Sequence, residues 1–155
     1  MDKTDISILR MLQADYKRSV KSIASELHLT STPVFERIKK MEREGIIDKY
    51  SLKINPEALG LNLRAFCTVS LEAHDHTQLN RFAKEIKALD EVIACYHVTG
   101  PFDYLLHILV EDMEAYQQFV IQKLSKMSSI RQVQSFFVMN ELISSDGFRL
   151  DHLTI

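Results

Sequence analysis

The chain has 155 residues, 46% hydrophobic and 26% charged, with four Gly and three Pro, which suits one ordinary domain or two small ones and leaves little room for a long linker or tail. No run approaches the ~18 apolar residues of a membrane helix, and the polar N-terminus lacks a signal-peptide core, so the expectation is a cytoplasmic protein with no membrane partner. The net charge of −2 is unevenly spread, with +3 over residues 1–64 and −5 over 65–155, which points to a nucleic-acid module joined to something else and, since +3 is modest, to a dimer that doubles the phosphate contacts.

A first helix is expected over about 4–14, where Ile8, Leu9 and Leu12 repeat with helical spacing and Asp2 or Thr4 is placed to cap the start. A second begins after Ser19, a good N-cap, and buries Val20, Ile23, Ala24 and Leu27. Residues 28–31 form a turn. A third helix starts near Ser31 or Thr32, with Pro33 in its first turn, where a missing N–H costs nothing. At 100° per residue Val34, Ile38 and Met41 share one face, while Thr32, Glu36, Lys39 and Arg43 share the opposite one with Lys40 beside them. Gly45 is a suitable stop. Residues 46–54 alternate loosely and read as a small β-wing carrying Lys49 and Lys53; Asn55 and Pro56 end it, and residues 57–60 turn into a second domain. Two helices joined by a tight polar turn, the second with a basic face, form a helix-turn-helix, whose second helix enters a DNA major groove.

From Leu63 the period changes to two. A strand begins there with Ala65, Cys67, Val69 and Leu71 on one side. A helix follows with Leu79, Phe82, Ala83, Ile86 and Leu89 on one face; then strands over about 92–99 and 103–110 flank a tight loop. The next helix uses Met113, Tyr116, Val120, Leu124 and Met127, and a last strand covers about 133–141. The order βαββαβ is the ferredoxin-like signature, making the chain α+β with domains at 1–60 and 61–155. Helices cover one face of such a sheet, yet both alternating sets are apolar here: Phe136/Val138 and Phe137/Met139, Leu105/Leu109 and Leu106/Ile108. An apolar sheet face left open favours sheet-against-sheet pairing of two copies, which also suits a two-fold DNA site.

The residues Asp5, Ile8, Leu9, Leu12, Gln13, Arg18, Ser19, Ile23, Ala24 and Leu27, then Ser31, Val34, Arg37, Ile38, Met41, Glu42, Gly45, Ile46, Ile47 and Tyr50, recur in order with Val98-Thr99-Gly100-Pro101-Phe102-Asp103-Tyr104 and Phe136-Phe137-Val138-Met139. This arrangement, spanning nearly the whole chain, resembles the leucine-responsive/asparagine-responsive (Lrp/AsnC, feast/famine) transcriptional regulators. Two departures stand out: Met41 where Leu is more frequent, a tolerated core swap, and Lys49 where Gly is common, which changes the charge of the wing.

The resemblance implies an N-terminal winged helix-turn-helix that binds double-stranded DNA and a C-terminal ferredoxin-like (RAM) module that dimerises, assembles further, often to octamers, and senses an amino acid between dimers. For DNA it singles out Ser31, Thr32, Pro33, Glu36, Arg37, Lys39, Lys40, Arg43 and Lys49. Thr32 and Glu36 are placed for base edges and the cations for phosphates, while Arg37, beside the apolar stripe, is open between a phosphate contact and a structural ion pair. For the effector it singles out Thr99, Gly100, Pro101, Phe102 and Asp103, with Met113, Phe136, Phe137 and Val138 as response positions that are equally plausible as core. On residues alone the loop is a hairpin turn with Gly100 supplying an unusual φ and Asp103 bonding nearby backbone.

Other chemistries find little support. Cys67 and Cys95 sit in apolar runs and read as small core residues, and His74 and His76 lack the spacing of a metal pair. No nucleophile–base pair, phosphate-cradling Gly loop or metal cluster suggests an enzyme, and no cofactor is expected. The alternative within the same resemblance is an effector-independent architectural (chromosome-organising) DNA-binding protein, and on either reading the expected location is the cytoplasm, in association with the nucleoid.

Overall fold

The computed structural model describes residues 1–143, 148 and 150. Two compact units emerge: Met1–Lys53 together with the segment from Ile143, and Ile54–Leu142. The division differs from the expected 1–60 and 61–155. Residues 54–60 join the sheet unit because a 3-10 turn, Glu57–Leu59, closes onto the strand that follows: Leu61 N–H donates to Pro56 O and Asn62 N–H to Glu111 O. At the other end, the Gln13 side-chain amide donates to the Phe148 carbonyl, tying that residue to the first unit.

In the first unit, α1 (Lys3–Ala14) opens on a reciprocal capping box: Asp5 N–H donates to Asp2 Oδ1 at 3.0 Å and Asp2 N–H to Asp5 Oδ2 at 2.8 Å. Ser19 caps α2 (Val20–Glu26) through its hydroxyl oxygen, as its position suggested. The turn to α3 (Ser31–Arg43) places His28 in the left-handed region (φ 55°), and Leu29 N–H closes back onto Ala24 O at 2.9 Å. Gly45 (φ 70°) ends α3, and Ile46 and Ile47 N–H both donate to Met41 O. The core is the predicted set: Ile8, Ile23, Ala24, Val34, Ile38 and Met41, with Leu9, Leu12, Val20 and Leu27 packed around it.

The expected wing is the clearest departure. Residues 46–54 contain no strand. Tyr50, Leu52 and Ile54, which alternate in the sequence, remain 46%, 67% and 59% exposed. A strand needs a partner, and the run lacks the Asn-Gly or Gly-Gly turn that would fold it back on itself.

The second unit is a four-stranded antiparallel sheet in the order β2-β3-β1-β4, built from β1 (Leu63–Leu71), β2 (Val92–His97), β3 (Tyr104–Val110) and β4 (Ile130–Phe137). Helices α4 (His76–Ile86) and α5 (Met113–Gln122) complete the βαββαβ order. One sheet face carries Ala65, Cys67, Val69, Leu71, Leu106 and Ile108, which pack with Phe82 and Ile86 of α4 and Tyr116 and Phe119 of α5. The long amphipathic run expected after Met113 is shorter as a helix, with Leu124 reaching the core from a separate 3-10 turn, Leu124–Lys126.

β4 lies earlier than the predicted 133–141. Its register sets Phe137 opposite Ala65, and Val138 N–H makes a last bond to Arg64 O at 3.0 Å. β1 starts at Leu63, so there is little left to pair with, and Met139 is fully exposed. The same register separates the two apolar sets. Phe137 turns to the helix side, edge-on to Tyr116 at 5.0 Å, while Phe136 lies opposite Phe66 on the other face. That outer face also carries Leu105, His107 and Leu109, and no helix of the unit covers it. Among the described residues no helix is long and apolar enough to cross a membrane.

Candidate DNA-reading helix and effector loop

The sequence of α3 sorts its residues cleanly. Val34, Ile38 and Met41 are buried, while Ser31, Thr32, Pro33, Glu36, Lys39, Lys40 and Arg43 are exposed. Thr30 caps the start by backbone geometry alone, so the first-turn N–H groups of α3 receive no side-chain acceptor there.

The cations are not equivalent. Arg37 Nη1 lies 2.7 Å from both Asp2 and Asp5, so this guanidinium clamps the α1 capping box and makes the ion pair of its two readings. The Asp2 carboxyl is held below its ordinary value, first by the Asp5 N–H and then by Arg37. Lys39 pairs with Glu42 at 2.6 Å, and Tyr50 OH donates to the same carboxylate at 2.9 Å, so Lys39 and Tyr50 together depress the Glu42 pKa. Lys40 stands 3.8 Å from Glu44. Such exposed pairs contribute little and exchange readily for phosphate. Lys49 is exposed in the segment after α3.

One member of this face was missed in the sequence. Phe35 is 45% exposed, with Lys39 Nζ 5.7 Å from its ring centroid. Its i, i+4 spacing from Ser31 and to Lys39 was the available signal, hidden because Phe is ordinarily assigned to a core.

The effector loop is built at the opposite end of β3 from α5. Gly100 has φ 139°, a conformation other residues avoid, and nothing lies within 4 Å of where its Cβ would stand, so backbone shape rather than crowding calls for glycine. Thr99, Gly100 and Pro101 are exposed; Phe102 and Asp103 are half-buried. Val98 N–H donates to Asp103 O and Asp103 N–H to Val69 O, each at 2.9 Å. The Asp103 carboxylate is already engaged: Oδ2 accepts the Leu71 N–H and Oδ1 lies 2.8 Å from His74 Nε2. Burial pushes this carboxyl upward, but the Leu71 N–H, His74 and His97 outweigh it and the net shift is downward. His74, set aside in the sequence as a metal ligand, is thus part of the loop's structure.

The other effector positions lie elsewhere. Met113 and Phe137 line a groove of about 350 Å³ between α5 and β4, together with Gln117, Val120 and Ile121. Phe136 faces the outer side of the sheet. Val138 borders a second, more polar groove of about 360 Å³ beside Arg64 and Glu141. Asp103 meets β1 at Val69 and Phe137 meets it at Ala65, a separation of about 13 Å along the strand. Within one chain, then, these positions form no single pocket. Among the described residues no three His, Cys, Asp or Glu are grouped to hold a metal ion.

Comparison with known proteins agrees with both halves. Residues 1–48 match a family model described as winged helix-turn-helix DNA-binding, and residues 64–148 one described as the Lrp/AsnC ligand binding domain. The DNA-binding transcriptional activator DecR of Escherichia coli is 30% identical over 92% of this chain and 93% of its own. The leucine-responsive regulatory protein of the same organism is 31% identical over 94% of this chain and 89% of its own. Among solved structures, a transcriptional regulator of Neisseria meningitidis in complex with L-Met superposes with a TM-score of 0.94 at 32% identity, covering 99% of both chains.

Proposed function

Because the chain belongs to the Lrp/AsnC family of DNA-binding transcriptional regulators, we propose that it reads DNA with the exposed face of α3 and responds to an amino acid held at the 99–103 loop. The carrying observation is the division of α3: core residues on one side, and Thr32, Glu36, Lys39 and Arg43 together on the other, with Lys40 beside them. Thr32 and Glu36 meet base edges, Glu36 as an acceptor for a cytosine amine, while Lys39, Lys40 and Arg43, with Lys49 in the segment after the helix, neutralise phosphates. Arg37 acts through the stability of the unit.

The effector reading rests on chemistry. A free amino acid needs N–H donors for its carboxylate and an acceptor for its ammonium. The exposed backbone at Gly100 supplies donors, and Asp103 an anionic acceptor that keeps its charge. Since Met113 and Phe137 lie at the far end of the sheet from this loop, the complete site combines the loop of one copy with the α5–β4 groove of another. The L-Met bound to the Neisseria regulator supports an amino acid as the class. Two copies pair through the outer sheet face and such pairs assemble further, toward an octamer, and the protein resides with the nucleoid in the cytoplasm. Effector binding at a composite site biases the assembly and so the spacing of its reading helices.

A thermal-shift screen of the full chain against the twenty amino acids tests this. A selective ligand should raise the transition with concentration by mass action, by about 2.7 kcal/mol at a hundredfold excess over Kd. Asp103→Asn keeps an acceptor for the Leu71 N–H but loses the charge, and should abolish the shift. The engaged state of Asp103 gives the alternative its footing: if DNA stabilises the protein and no amino acid does, the architectural, effector-independent reading replaces this one.

A further inference from the structure

Phe35 is the one residue on the outward side of α3 that neither packing nor polarity accounts for. α3 gives Val34, Ile38 and Met41 to the core of its unit, and Phe35 is absent from both that core and the partly buried residues around it. Half its surface is open. It sits one turn from Ser31 and from Lys39 and adjoins Glu36, in the N-terminal half of the helix. An exposed aromatic is unremarkable in general, but this position is particular: the N-terminal residues of a reading helix are those that reach base edges in the major groove. Thr32 and Glu36 bring hydrogen-bonding groups to that surface, whereas Phe35 has none. The apolar feature that a major groove offers is the C5-methyl group of thymine.

We propose that Phe35 reads a thymine through its C5-methyl group, adding a base preference that the polar residues of α3 do not supply. This rests on α3 being the DNA-reading helix. The remaining chemistry of the face fits: Lys39 lies over the ring, and Lys40 and Arg43 continue along the helix toward phosphates.

The test uses the full chain and a random-sequence duplex pool. The most strongly selected duplex is remade with deoxyuridine replacing thymidine at each site in turn, which keeps every hydrogen-bonding atom and removes one methyl. Wild-type protein should lose about fourfold in affinity at one thymine per half-site, the equivalent of one buried CH₂-sized group. Phe35→Ala should bind the two forms of that site equally, and Phe35→Leu should keep part of the preference; far-UV circular dichroism confirms that both variants fold. If no deoxyuridine substitution weakens wild-type binding, or if the penalty survives in Phe35→Ala, the proposal is overturned. Arg43→Ala separates the two levels of the argument. It should weaken binding to all duplexes alike and leave the thymine preference intact. If Arg43→Ala and Phe35→Ala both bind as wild type, α3 is not the reading helix and the underlying assignment fails with the proposal.

Discussion

At the scale of single residues, partners decide what a charge does. Arg37, Lys40 and Arg43 all lie on α3, but Arg37 is half-buried beside the apolar stripe and within 2.7 Å of two carboxylates, whereas Lys40 and Arg43 are exposed. Arg37 bridges Asp2 and Asp5, with the Asp5 side chain 12% exposed. Arg37→Ala should therefore lower stability by about 1 kcal/mol, the upper range for a partly exposed pair, whereas Arg43→Ala should leave the melting temperature unchanged and weaken DNA binding. The pH dependence has a definite sign. Asp2 titrates below its ordinary value in the folded chain, so its contribution is present above the usual carboxylate range and fades as pH falls through the folded pKa. Arg37→Ala should flatten that acid limb in thermal melts from pH 7 to 3; an unchanged limb would mean that the clamp contributes nothing. The Ser19 cap was legible because an N-cap is a local pattern, and the same pattern narrowed the first cap to Asp2 or Thr4, of which the structure uses Asp2. The role of Arg37 was not, since its partners lie 35 and 32 residues away.

At the scale of elements, period and burial carried most of the architecture, and pairing decided the remainder. The apolar repeats gave α3 and α4 their faces, and Phe82, on the face predicted for α4, is fully buried against Tyr104 at a ring distance of 4.5 Å. Phe82→Ala should cost about 3–5 kcal/mol in urea unfolding, and a loss under 1 kcal/mol would contradict α4 as the cover of the sheet. β4 and the wing were misjudged for a related reason. Residues 136–139 are apolar on both alternations, so hydropathy does not locate the end of the strand; the length of β1 does. Residues 46–54 have strand-like alternation without a partner in their own unit, and propensity without pairing makes no ladder. The effector loop was legible as a turn with a required Gly100, but the capture of Asp103 by Leu71 and His74 depends on how β1 and β3 align.

At the scale of the whole molecule, the outer sheet face sets the argument for assembly. Phe66, Leu105, Leu109 and Phe136 form an apolar surface that no helix of their own unit covers, and His107 stands among them, stacked on Phe66 at 4.6 Å, its buried Nε2 without a hydrogen-bond partner among the described residues. Burial first, and the nearby Arg64 second, hold the His107 pKa below its ordinary value, with Glu141 opposing. A second copy laid on this face would deepen that burial and disfavour the imidazolium further. The sign follows: the neutral ring is the form a packed face would accept, so pairing through this face would be at full strength above the ordinary histidine range and lost as pH falls through the depressed value. Light scattering on the full chain should show a dimer or larger species at pH 7.5 that dissociates on acidification, and His107→Leu should hold the assembly together at the acid end. Phe66→Asp should leave a monomer at either pH. If Phe66→Asp assembles as wild type does, the outer face is not the interface, and the two-fold arrangement of reading helices must be sought on another surface. If Phe66→Asp is monomeric but His107→Leu dissociates like wild type, the face is the interface and the acid sensitivity comes from a different group.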